Sequence, residues 1–110
     1  MDPTSCCAPS SAACCSLKID GAQQTRLVTM LKAIGNATRF EILKYLVTHP
    51  GCITGDIVAH LPIAQATVSQ HLKVLREAGW VVGNVDGPAR RYCLDADNVT
   101  WFRTQVETIF

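Results

Sequence analysis

Six cysteines are the residues of this chain best suited to chemistry, and they are unevenly placed. Cys6-Cys7 and Cys14-Cys15 are adjacent pairs near the N-terminus, while Cys52 and Cys93 stand alone far downstream. Two adjacent thiols do not easily close a relaxed disulfide with each other, because bridge geometry is narrow. The first residues lack the basic start and continuous apolar stretch of a secretory signal, so a cytoplasmic location is expected. Thiols stay mostly reduced there, which turns clustered cysteines toward metal binding or redox chemistry. Soft ions select thiolates, and a vicinal pair on a flexible tail supplies two donors without prior structure. Catalysis has little support: no Ser/His/Asp or Cys/His grouping is legible, and His49 and His60 fall near the ends of expected helices. The chain is expected not to be an enzyme.

These residues must be positioned by a small protein. The chain has 110 residues, 48% hydrophobic and 17% charged, with a net charge of +1. That length suits one domain and excludes a multi-domain enzyme or a large barrel. No apolar run approaches the ~20 residues of a membrane helix. High hydrophobic content and low net charge argue against overall disorder. Near neutrality argues against a non-specific nucleic-acid coat, so any basic footprint must be local.

Residues 1–20 are rich in Ser, Ala, Cys and Pro, show no period, and read as a flexible Cys-rich segment; residues 21–110 read as the folded domain. Leu27, Met30, Leu31 and Ile34 form a helical stripe that Gly35-Asn36 ends. Phe40, Leu43, Leu46 and Val47 mark a second helix, with Asn36 as its expected cap. Pro50-Gly51 breaks the chain, and Thr54 is expected to cap a short helix carrying Ile57, Val58 and Leu61. Residues 65–78 form the clearest helix, with Val68, Leu72 and Leu75 on one face and Gly79 at its end. Trp80-Val81-Val82 and Arg90–Leu94 flank an Asp86-Gly87-Pro88 turn and read as a hairpin. Val99, Phe102, Val106 and Ile109 then follow coiled-coil seam spacing on a last helix begun by Asp95 or Asp97. The expected fold is mainly α with a small β-hairpin: a winged helix-turn-helix.

A helix that reads DNA needs an apolar face to dock on its own domain and short polar side chains on the other. Residues 64–78 meet both demands. Gln65, Thr67, Ser69, Gln70 and His71 are the candidate base-reading residues, with Lys73 and Arg76 suited to phosphates. Arg90 and Arg91 on the hairpin suit backbone or minor-groove contact. Residues 64–91 hold Lys73, Arg76, Arg90 and Arg91 against Glu77 and Asp86, a local excess of two, while the remainder has six basic and seven acidic groups. Charge alone would fit an ordinary solvated helix; the order of the elements points to DNA.

The stretch from Ala64 to Gly79 resembles the recognition helix of ArsR/SmtB transcriptional repressors, and Leu31–Leu43 resembles their early helix pair. The resemblance covers roughly residues 25–94. It implies a homodimeric winged helix repressor that binds operator double-stranded DNA, an inverted repeat, and leaves it on binding an inducer, with no membrane partner. The dimer surface is expected on the two terminal helices, through Leu27, Met30, Leu31, Val99, Phe102, Val106 and Ile109. Two inducer sites of the family are absent. The Cys-x-Cys-Asp-Leu arsenic motif is replaced by Gly51-Cys52-Ile53-Thr54-Gly55-Asp56-Ile57, and the last-helix zinc site fails because no histidine follows His71. The remaining cysteines resemble arsenic-responsive members that combine a vicinal N-terminal pair with a third cysteine near the helix-turn-helix of the other subunit. That resemblance assigns Cys14, Cys15 and Cys52 to trivalent arsenic, or antimony, as inducer. A dipole-favoured thiolate is expected at Cys52, just before a helix N-terminus. Rival readings are a repressor of the same fold sensing cadmium, lead, zinc or thiol oxidation, and a non-DNA soft-metal-binding protein. The roles of Cys6, Cys7 and Cys93 stay open.

Overall fold

Periodicity, caps and turn residues lead to five helices and one hairpin in a computed structural model that describes residues 19–86 and 89–109. The order is α1 (Gly21–Ile34), α2 (Ala37–Thr48), α3 (Thr54–His60), α4 (Gln65–Ala78), β1 (Val81–Asp86), β2 (Ala89–Leu94) and α5 (Ala96–Ile109). Cys6, Cys7, Cys14 and Cys15 lie outside the described residues.

Local chemistry sets the boundaries. Asn36 caps α2, its Oδ1 accepting the Arg39 amide at 3.1 Å, and this satisfies one orphan donor of the first turn. At α3 the expected Thr54 cap gives way to another arrangement: Ile53 occupies the cap position, and the Asp56 carboxylate accepts the Ile53 N–H at 3.0 Å. Leu61 ends α3 in extended geometry, as a residue before Pro62 favours. Gly79 closes α4 at φ 97°, where a side chain is strained. An added Cβ would also come within 3.0 Å of the Asn98 amide. That amide donates to the Gly79 carbonyl and to Asp95, each at 3.0 Å, so α5 holds the end of α4. Asp95 in turn caps α5 by accepting the Asn98 N–H at 3.1 Å.

The core lies where α1, α2, α3 and α4 converge on the root of the hairpin. Met30, Ile42, Leu46, Ile57, Val68, Leu72, Leu75 and Val81 are its most enclosed side chains. Trp80, expected in the first strand, stands just before it. Its indole is buried and donates to the Met30 carbonyl at 2.8 Å, meeting the need of a buried polar tip. Phe102 packs its ring edge-on against Trp80, centroids 4.7 Å apart. The strands pair antiparallel, from Val81 opposite Leu94 to Asp86 opposite Ala89.

The terminal helices correct part of the dimer expectation. Leu27 and Met30 are buried inside the single chain, at 5% and 0% exposure, so they serve its own core and offer no free surface. Apolar spacing identifies a buried face but not which chain buries it. Leu31 is 45% exposed, and Val28, which the periodicity passed over, is 39% exposed. Val99, Phe102, Val106 and Ile109 are all half-buried, and no residue of α5 is fully enclosed. Arg26 ties the two helices together, its guanidinium stacking 3.9 Å from the centre of the Trp101 ring and donating to the Asn98 side chain.

Candidate nucleic-acid interface

The α4 helix is anchored by Val68, Leu72 and Leu75, each essentially inaccessible. That single buried stripe fixes the helix rotation and therefore what it presents outward. Gln65, Thr67, Ser69, Gln70 and Lys73 are exposed, together with Glu77, and they form a polar surface along the helix. Most are short or neutral and able to donate or accept at base edges. Arg76 is half-buried on the flank.

His71 is less open than the polar residues around it. It is half-buried, and its Nδ1 faces the Arg39 guanidinium at 3.5 Å. Arg39 also donates from Nε to the Ala33 carbonyl at 2.6 Å, so one side chain joins the end of α1 to α4. Sequence reading missed Arg39. The signal was present: a cation in the first turn of α2 opposes the helix dipole, so it needs a tertiary partner. Beside it, Thr29, Lys32, Ala33, Arg39, Val74, Glu77 and Ala78 line an open groove of about 280 Å³.

Burial, and secondarily Arg39, hold the His71 imidazole below its ordinary value. The unfolded chain therefore takes up this proton first as pH falls. The contribution to stability is full above about pH 6.5 and is lost as pH drops through the folded value. Urea unfolding of wild type and His71→Gln at about pH 7.5 and 5.5 should show a smaller acid loss in the variant. An equal loss in both would remove His71 as the source.

On the hairpin, Arg90 and Arg91 are both exposed. The Arg90 stem lies over Gly83, where an added Cβ would come within 2.7 Å of it. Arg91 turns back to the loop between α2 and α3, where its guanidinium donates to the Gly51 carbonyl at 3.1 Å.

Cys52 lies in that same loop, enclosed in the core at 7% exposure and bridged to Tyr92 of β2. The expected dipole-favoured thiolate is not what its surroundings create. Burial first, and the Asp56 carboxylate second, push the thiol above its ordinary range. The reason is local: the helix start that would favour an anion already holds the Asp56 carboxylate on the Ile53 N–H. Cys93 is half-buried on β2, and no group of three metal-ligating side chains occurs among the described residues.

Known proteins share this arrangement. Residues 36–81, from the α2 cap to the first residue of β1, match the family described as bacterial regulatory protein, arsR family. The HTH-type transcriptional regulator Rv2034 of Mycobacterium tuberculosis is 34% identical over 69% of this chain and 70% of its own length. ArsR2 of Halobacterium salinarum, named for the arsenical resistance operon, is 32% identical over 79% of this chain and 69% of its own. The structure of an ArsR-like transcriptional regulator from Rhodococcus superposes with a TM-score of 0.73, at 22% identity, over 81% of this chain and 83% of that one. With its helix-turn-helix, its hairpin wing and these relatives, the chain belongs to the arsR family of bacterial regulatory proteins, and it is a DNA-binding transcriptional regulator, not an enzyme.

Proposed function

We propose that the protein is a homodimeric repressor that reads an inverted-repeat operator through α4 and the wing and releases it when trivalent arsenic or antimony is captured by Cys14, Cys15 and Cys52. The observation that carries the DNA part is the exposed Gln65, Thr67, Ser69, Gln70 and Lys73 surface on a helix whose opposite face is locked in the core. Arg76 on the flank and Arg90 on the wing add phosphate contacts. Leu31, Val28, Val106 and Ile109 provide apolar surface for a two-fold partner, with Val99 and Phe102 shared between that surface and the core. Such a dimer sets its reading helices ~34 Å apart, one turn of DNA.

The inducer part rests on donor chemistry and relationship. Three thiols displace the three hydroxyls of arsenous acid as water, which needs no oxidant or reductant, and soft sulfur donors suit the ion. Cys52 is bridged through its backbone to Tyr92 of the wing, and ArsR2 is a relative named for arsenical resistance.

A promoter-fragment titration tests the reading surface. Gln70→Ala should cost about 1–3 kcal/mol of specific affinity and leave binding to unrelated DNA unchanged. Unaltered specific affinity would take base reading away from Gln70. A promoter fragment whose mobility never changes at low salt would sink the repressor proposal.

A further inference from the structure

The wing is fastened to the loop between α2 and α3 by three hydrogen bonds that DNA reading does not require. The Gly51 N–H donates to the Tyr92 carbonyl at 2.8 Å, and the Tyr92 N–H donates to the Cys52 carbonyl at 2.9 Å. These two bonds make Cys52 and Tyr92 an antiparallel bridge, a fragment of third strand on the edge of β2. The third is the Arg91 guanidinium on the Gly51 carbonyl at 3.1 Å. Gly51 has φ 81°, a left-handed geometry that glycine adopts without strain. Arg91 is thus tied down midway along the wing, opposite Asn84 and two ladder positions short of the Asp86–Ala89 pair. Its charge is committed to a protein carbonyl, a stronger bond than a neutral donor would make.

We propose that Arg91 is a positioning residue and not a DNA contact: together with the bridge from Gly51 and Cys52 to Tyr92, it makes the wing and Cys52 move as one unit. At 7% exposure, the Cys52 sulfur must shift outward with its loop to meet any external ligand. Both backbone bonds of the bridge run to Tyr92, so β2 follows that shift, and Arg91 keeps the bridge from parting at its exposed edge. Displacement of one cysteine then reaches DNA as displacement of the wing. This last step rests on the inducer role given to Cys52 above; the fastening itself does not.

The experiment separates the two. DNA binding of wild type, Arg90→Ala and Arg91→Ala is measured over a salt series, alongside amide exchange at Gly51 and Tyr92 and arsenite binding followed by sulfur-to-arsenic absorbance. Arg90→Ala should lower the salt slope by about one, the signature of a lost phosphate contact, and Arg91→Ala should leave it unchanged. Exchange at Gly51 and Tyr92 should rise about tenfold in Arg91→Ala. That variant should bind arsenite as wild type does yet release less DNA. A salt slope lowered by Arg91→Ala, or unchanged amide exchange, overturns the fastening. Normal release by arsenite-loaded Arg91→Ala overturns the coupling. If wild type binds no arsenite, the inducer proposal and the coupling that rests on it fail together, and slope and exchange still decide the fastening.

Discussion

Cys52→Ser is expected to bind operator DNA as wild type does and, if the proposed arsenic site is right, to keep it in the presence of arsenite. The expected loss is the whole coupling between inducer and DNA, typically ~1–3 kcal/mol, or roughly 5–150-fold in affinity. Serine replaces a soft sulfur donor with a hard oxygen and leaves at most the vicinal pair for the ion. The site also dictates a control. Cys52 is buried among apolar side chains, where an unpartnered hydroxyl costs about 1–3 kcal/mol. Cys52→Ala avoids that cost and should lose the response equally. Normal arsenite release in either folded variant would remove Cys52 from the sensor.

Leu72→Ala is expected to destabilise the domain by about 2–5 kcal/mol, a large share of a typical total of ~5–15 kcal/mol. Leu72 is 1% exposed, at the centre of the stripe that seats the reading helix, between Val68 and Leu75. Its truncation leaves a cavity beneath the exposed polar surface of α4. Urea unfolding measures the effect, and Trp80, buried against the same core, offers a fluorescent probe. A loss below about 1 kcal/mol would mean that α4 is held by something other than this core.

Much of this architecture was legible because its signals are local. Helical spacing, the Asn36 cap and Gly79 after α4 each act within a few residues, and together they set most of the order of elements. What local signals do not carry is the partners distant in sequence. Leu27 and Met30 read as an interface because spacing defines a face without saying which chain covers it. His71 read as a base contact, and its flank of α4 also meets Arg39 from α2. Arg91 read as suited to backbone or minor-groove contact, and it has an acceptor, Gly51, 40 residues earlier. At Cys52 the helix start was visible in sequence, whereas burial and the Asp56 carboxylate act through the fold and reverse the expected direction.

The central claim is that thiol capture of trivalent arsenic releases DNA. Fluorescence anisotropy of a labelled promoter duplex bound by the full chain, titrated with arsenite and separately with zinc, tests it most directly. The account predicts that arsenite returns the anisotropy to that of free DNA, while zinc at the same concentration leaves the complex intact. A complex that survives saturating arsenite, or that zinc releases equally well, would contradict it.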